Sequence, residues 1–233
     1  MRVAIGQFSE LTDERLTFAE QLGVSGVQLN TPAIPSEKGY WEYSHLKSLK
    51  DKAEDHGLRL EALENVPIHF YDKVMLGLPD CDQQIENYQK TIANMGKAGI
   101  PILGYHWMPN GVWRTPPVSG RGGATVTAFD ADLIDVQPLT AGVRKLDMLK
   151  GSTISHSEMW DNYIRFMEAV VPVAEESGVR LALHPDDPPI PMLGGVARLF
   201  YEPAGFQQAL DAVPSPNSGL DFSFTVFLIS FDV

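Results

Sequence analysis

His184, followed by Asp186 and Asp187, is the group in this chain whose side chains most clearly suit chemistry. Residues Val179 to Leu183 form a short apolar run, which predicts a buried strand, and the segment His184-Pro-Asp-Asp-Pro-Pro follows at once. Prolines cannot continue a strand, so we predict that His184 ends it and faces a stiff loop that carries Asp186 and Asp187. Imidazole and carboxylate groups are ligands for divalent metals. A core histidine beside a polar turn is an alternative that these residues alone leave open.

A repeated motif indicates how the rest of the chain is built. The pattern Ala-Glu-x-x-Gly occurs at residues 19–23, 53–57 and 174–178, each time between a predicted helix and an apolar run. Glycine adopts the left-handed conformation that ends many helices. Repeated helix–glycine–strand units therefore predict βα architecture with a parallel sheet.

Hydrophobic periodicity places six βα units along the chain. Strands are predicted at 2–8, 26–29, 58–63, 102–105, 179–184 and 219–223, and helices at 12–22, 42–56, 82–98, 155–177 and 204–210. The predicted fold class is α/β, of the (β/α)8 TIM-barrel type, in a single domain over residues 1–233. Eight units usually take about 250 residues, so we expect an incomplete barrel.

One long segment interrupts this pattern. Residues 105–154 separate the fourth strand from the next helix and include Trp107, Trp113 and Arg114. Long loops in compact domains are usually functional or disordered, and tryptophan is rare in disordered segments. We therefore predict an ordered lid or site loop, in which Arg114 binds a carboxylate group of the substrate. A surface ion pair of Arg114 is the alternative.

Polar side chains lie at the predicted carboxyl ends of the strands, where barrels of this type build their active sites. They are Gln7, Gln28, Asn30, Glu61, Glu64, His106, His184, Asp221 and Ser223. The imidazoles and carboxylates among them suit Mn²⁺, Fe²⁺ or Zn²⁺. We predict that Glu64, His106, Arg114 and Asp186 bind the substrate. Solvated or helix-capping carboxylates, and a loop histidine bonded to backbone, are the alternatives.

Composition excludes several classes of partner. The net charge is −12, from 18 basic and 30 acidic residues, which argues against nucleic acid because its binding needs a basic surface. No apolar run reaches about 18 residues, so we expect no membrane-spanning helix. No charged leader precedes an apolar core at the N-terminus, so we expect a cytoplasmic protein. A small-molecule partner fits this composition, and so does a homo-oligomer.

Four segments of the chain resemble the mannonate dehydratase family, within the xylose-isomerase-like barrels. They are Leu181–Pro189, which contains the HPDDPP block, then Tyr105–Pro109, Trp113–Thr115 and Arg121–Asp130. The HPDDPP block is fairly specific, because neighbouring isomerase families do not share it as a block. The resemblance covers about residues 1–222.

The resemblance implies a lyase that removes water from D-mannonate to give 2-dehydro-3-deoxy-D-gluconate in hexuronate (glucuronate) breakdown, with Mn²⁺ or Fe²⁺. The family's metal ligands are a histidine, a cysteine, a second histidine and an aspartate. His184 matches the first, and Ser223 stands where the cysteine is expected. The remaining ligands and the catalytic acid and base are expected beyond Val233, so we expect an incomplete catalytic set in the chain as written.

Two other functions stay open on this sequence. A divalent-metal sugar isomerase or epimerase of the same superfamily also uses strand-end Glu and His residues. A non-catalytic fragment, or a protein that binds sugar acids without turning them over, is the other alternative.

Overall fold

A parallel sheet lies at the centre of the fold. The computed structural model describes residues 2–134 and 153–223. In chain order its strands are β1 (Ala4–Phe8), β2 (Gly26–Asn30), β3 (Arg59–Glu64), β4 (Ile102–Tyr105), β5 (Thr115–Ser119), β6 (Thr125–Ala128), β7 (Arg180–Leu183), β8 (Met192–Leu193), β9 (Val196–Ala197) and β10 (Ser218–Leu220). Six of them form one sheet in the order β1–β2–β3–β4–β7–β10, and all neighbours are parallel. The prediction of six βα units in an incomplete barrel is confirmed, since β1 and β10 do not pair within the described ranges.

Helices connect successive strands of this sheet. They are α1 (Asp13–Gln21), α2 (Tyr43–Asp55), α3 (Asp72–Met75), α4 (Cys81–Ala98), α5 (His156–Ser177) and α6 (Pro203–Ala212). The glycines of the repeated motif, Gly23, Gly57 and Gly178, all have a positive φ just after a helix. The motif therefore marks helix ends, as the sequence predicted. In the described ranges, no helix is long and apolar enough to cross a membrane.

An aromatic cluster fills the core between the sheet and the long helices α4 and α5. Tyr88, Tyr105, Trp107, Tyr163 and Phe166 are all buried. The Trp107 and Tyr163 rings meet edge to face at 5.2 Å, and the Tyr88 and Phe166 rings at 4.9 Å. The hydroxyls of Tyr105 and Tyr163 lie 3.0 Å apart, so neither polar tip is left unpaired in the apolar layer. This cluster fixes the end of β4, from which the long segment departs.

The long segment after β4 contains a hairpin that the sequence did not predict. Strands β5 and β6 pair antiparallel, and their side chains are mostly exposed to solvent. Pro116 and Pro117 lie inside β5, and proline is rare in strands except at edges, which is why no strand was predicted there. Residues 135–152 of the predicted lid lie outside the described ranges. The role of this segment as a lid stays a prediction.

The N-terminus of α5 has the capping box that Ser155 and Glu158 predict. The predicted capping box is present, because Ser155 Oγ accepts from the Glu158 amide and Glu158 Oε2 accepts from the Ser155 amide. We expect Ser155→Ala to lower the free energy of unfolding by about 1 kcal/mol, measured by urea denaturation. Ser48→Ala, in the exposed part of α2, is the control and should not destabilise. Equal effects of the two changes would contradict the capping role.

Candidate metal centre

Three strand ends bring a carboxylate, an imidazole and a second carboxylate together. Glu64 ends β3, His184 follows β7 directly, and Asp221 follows β10 directly. The ladder continues one step beyond the strands, since the His184 amide donates to the Tyr105 carbonyl and the Asp221 amide to the Leu183 carbonyl, each at 2.8 Å. One ligand atom from each of the three side chains lies within 4.8 Å of the others. We call Glu64, His184 and Asp221 the metal centre below.

The imidazole of His184 has the tautomer that a metal ligand requires. Its Nδ1 lies 2.7 Å from the carbonyl oxygen of Pro185. A carbonyl oxygen only accepts, so Nδ1 carries the proton and Nε2 keeps a free lone pair. Histidines that bind metals usually donate their other ring nitrogen in this way. The bond to Pro185 thus leaves Nε2 of His184 available as a ligand atom.

Keeping both carboxylates of the centre charged costs free energy when no cation is bound. Glu64 is only 5% exposed, and burial, with the charge of Asp221, raises its pKa. Burial likewise raises the pKa of Asp221, while His184 acts in the opposite direction. A divalent cation bound here would offset both the desolvation and the repulsion. One imidazole nitrogen and carboxylate oxygens are a donor set that fits Mn²⁺, Fe²⁺ or Zn²⁺.

Amide side chains from the first two strands surround Glu64. Gln28 Nε2 donates to Glu64 Oε2 at 2.6 Å, and Gln7 Nε2 lies 3.1 Å from each Glu64 oxygen. Asn30 Nδ2 is more distant, at 3.5 Å. These strand-end residues were singled out in the sequence, and the structure brings them to Glu64. Glu61 is apart from them, because it forms ion pairs with Arg2 and Arg59.

Asp186 is buried inside the loop that follows His184. Its side chain is 0% exposed, its Oδ2 accepts from the Phe200 amide at 2.6 Å, and its Oδ1 lies 3.5 Å from Arg198 Nη1. Arg198 also donates to Asn110 Oδ1 at 3.0 Å and to the Gly111 carbonyl at 2.8 Å. Burial raises the pKa of Asp186 and lowers that of Arg198. Asp186 thus binds protein groups here, and substrate binding by it stays a prediction.

Asp187 and Arg114 connect the long segment to the same loop. The guanidinium faces the carboxylate with both nitrogens, at 2.7 Å from Nη1 to Oδ1 and 2.5 Å from Nη2 to Oδ2. Each side chain is 21% exposed. Arg114 therefore binds a carboxylate, as its chemistry predicted, but that carboxylate belongs to the protein. Its contact with substrate stays a prediction.

His106 and Ser223 are the other two predicted site residues, and each follows a strand of the sheet. His106 follows β4, and burial, with the charges of His184 and Arg198, lowers its pKa to about 3. Its Nδ1 accepts from the Met108 amide at 3.2 Å, so neutral His106 carries its proton on Nε2. Ser223 lies two residues beyond Asp221, and its amide donates to the Asp221 carbonyl at 2.9 Å. Its hydroxyl as a metal ligand stays a prediction.

Comparison with known proteins decides the family. The profile of the D-mannonate dehydratase (UxuA) family matches residues 1–230. The chain belongs to the mannonate dehydratase family. The match runs past residue 222, where the resemblance in the sequence was expected to end. Residues 224–233 lie outside the described ranges.

Individual family members agree with this assignment. The chain is 29% identical to mannonate dehydratase 2 of Halalkalibacterium halodurans, over 94% of this chain and 68% of that protein. It is 32% identical to the mannonate dehydratase of Streptococcus equi subsp. zooepidemicus, over 85% of this chain and 58% of that protein. The crystal structure of mannonate dehydratase from Streptococcus suis serotype 2 superposes with a TM-score of 0.78 at 28% identity, over 94% and 63% of the two chains.

The shared length limits what these relatives say about the present chain. It spans 58% to 68% of the two related sequences and 63% of the solved chain. Solved sugar 3-epimerases are similar at 14% identity with a TM-score of 0.56 and at 11% with 0.53, which shows the fold alone. These comparisons establish the barrel-type fold and the family of this chain.

The buried pair of Asp186 and Arg198 predicts a large effect on stability. Arg198→Met leaves the Asp186 carboxylate buried without its cation, so we expect unfolding to become easier by about 3–5 kcal/mol in urea denaturation. The double variant Asp186→Asn/Arg198→Met removes both charges and should recover part of the loss. Arg165→Met, which breaks an exposed pair with Asp82, should cost less than about 1 kcal/mol. A small effect of Arg198→Met would show that the pair does not hold the loop.

The raised pKa of Asp221 predicts a pH-dependent effect in the metal-free protein. The folded chain holds this proton more tightly than the unfolded chain, so the group's contribution to stability falls as pH rises from about 4 through the raised pKa. We expect Asp221→Asn to be more stable than the parent at pH 7 and similar to it at pH 4, by urea denaturation with a chelator. Mn²⁺ should reverse this order by stabilising only the parent. Asp211→Asn, on the exposed face of α6, should show neither effect.

Proposed function

We propose that this chain is a mannonate dehydratase that acts on a sugar acid and uses Mn²⁺ or Fe²⁺. The observation that carries this proposal is the meeting of Glu64, His184 and Asp221 at the carboxyl ends of three parallel strands, within a chain of the mannonate dehydratase family. Barrels build their active sites at this edge of the sheet. The reaction proposed is the loss of water from D-mannonate to give 2-dehydro-3-deoxy-D-gluconate.

The bound metal would supply a Lewis acid for the charge that develops when a proton beside a carboxylate leaves. The residues around it have separate tasks. Glu64, His184 and Asp221 would hold the ion, and the His184 tautomer directs Nε2 to it. Neutral His106 offers an Nε2–H group that would donate to a hydroxyl or carboxylate oxygen of the substrate.

The arginine at the start of the long segment would act on the loop that carries His184. Arg114 holds Asp187 with a bidentate pair, and this links residues 105–134 to the HPDDPP block. A guanidinium already paired with an internal carboxylate also presents less net charge to a substrate anion. A direct clamp by Arg114 would require the pair with Asp187 to open or to be shared.

An assay with a substrate panel tests the proposed activity. The chain is freed of metal, loaded with Mn²⁺ or Fe²⁺ and incubated with D-mannonate, and the keto-deoxy product is measured. We expect product formation to need the metal, and His184→Asn to lower it at least about 100-fold, since even residues that only support ligands cost 10–100-fold. His156→Asn, on the exposed start of α5, is the matched control and should keep the parent rate.

The same panel separates the other functions. If the chain interconverts aldoses and ketoses in this panel and forms no keto-deoxy product from D-mannonate, its function is that of an isomerase or epimerase. Binding of Mn²⁺ and mannonate without turnover would indicate a binding protein or a chain that lacks part of its catalytic set.

A further inference from the structure

We propose that Gln7 and Gln28 are positioning residues that hold the Glu64 carboxylate towards His184 and Asp221, so that cation affinity at this edge of the sheet depends on two side-chain amides. This inference rests on the proposed metal centre. It adds to the centre two residues that do not themselves ligate, one from β1 and one from β2.

The hydrogen bonds to Glu64 carry the first part of the argument. Gln28 donates to Oε2 at 2.6 Å, and the Gln7 amide bridges both oxygens at 3.1 Å. Donors on both oxygens fix the plane of the carboxylate and leave its remaining lone pairs to face the other two members of the centre. Groups that orient a metal ligand in this way typically change metal affinity 10–100-fold when removed.

The backbone on both sides of Gln28 is built to direct these amides. Strand β1 places two residues, Gly6 and Gln7, opposite the single residue Gln28. On the other side of β2, the pairing skips Glu61 of β3, which is a second irregularity at the same point. An extra residue in a strand turns the side chains beside it, and such bulges are common next to active sites. Without these irregularities, successive side chains of each strand would simply alternate between the two faces of the sheet.

The conformation of Gln7 supports a role other than stability. Its φ is +52°, in the left-handed region, which costs free energy for any residue with a Cβ. Glycine would adopt this conformation without that cost. The neighbouring residue is glycine for a different reason, because a Cβ on Gly6 would lie 2.8 Å from Gln28 Cβ. Gln7 thus occupies a position where the backbone conformation disfavours every residue except glycine.

Two variants test the proposal on the full chain. Gln28→Met keeps the volume and removes the donor, and Gln7→Gly removes the amide while it relieves the backbone. We expect each to raise the Kd for Mn²⁺ about 10–100-fold, measured by titration calorimetry and by the EPR signal of free Mn²⁺. The urea midpoint of metal-free Gln7→Gly should equal or exceed that of the parent. Gln83→Met, on the exposed face of α4, is the control and should keep the parent Kd.

A cycle with Glu64 separates positioning from a general structural role. In a Glu64→Gln background, Gln28→Met should change the Kd for Mn²⁺ less than about twofold, because the carboxylate it holds is gone. If Gln28→Met changes the Kd for Mn²⁺ by the same factor with and without Glu64→Gln, the proposal is wrong. It is also wrong if Gln28→Met and Gln7→Gly both bind Mn²⁺ with the affinity of the parent.

The outcome also separates this inference from the metal centre itself. If the parent binds Mn²⁺, His184→Asn does not, and the glutamine variants bind like the parent, the inference fails and the centre stands. If the parent does not bind Mn²⁺, the proposed centre fails and the inference fails with it.

Discussion

The parallel register of the sheet is the constraint on which the rest of the structure depends. It aligns the carboxyl ends of β3, β7 and β10, so that side chains 120 and 37 positions apart, Glu64 to His184 and His184 to Asp221, meet within 4.8 Å. Burial raises the pKa of both carboxylates, and the charge of Asp221 raises the pKa of Glu64 further. A divalent cation bound between them would offset this cost.

The loop after His184 is held by charge on both of its aspartates. Asp186 turns inward to Arg198, and Asp187 turns to Arg114 of the long segment. The two pairs differ in environment, since the first is fully buried and the second is partly exposed. Breaking the first should therefore cost more stability than breaking the second, which solvent partly screens. Both act on the segment that fixes the ring of His184.

Most of the architecture could be predicted from the sequence, because helix-ending glycines and apolar runs are local signals. His184 and Glu64 were found in the same way, as polar residues at the ends of predicted strands, although Glu64 was predicted to bind substrate and not metal. Asp221 was in the same set, but the metal ligand on the last strand was expected at Ser223, where the family has a cysteine, whereas β10 ends at Leu220. Strand ends are where a prediction from sequence is least accurate. Arg198 had no signal at all, because its role depends on burial against distant Asn110 and Gly111.

Residues in unfavourable backbone conformations lie along the same carboxyl edge of the sheet. Gln7, Thr31 and Asn65 all have a positive φ, and they lie in or directly after β1, β2 and β3. Residues with a Cβ keep this conformation only where the surrounding structure enforces it, and such positions cluster at functional sites. Three successive strands thus end in unfavourable backbone beside Glu64, while the opposite end of the sheet shows no such residue in the described ranges. That asymmetry agrees with a sheet whose carboxyl edge is shaped for binding, with its stability supplied by the aromatic core behind β4.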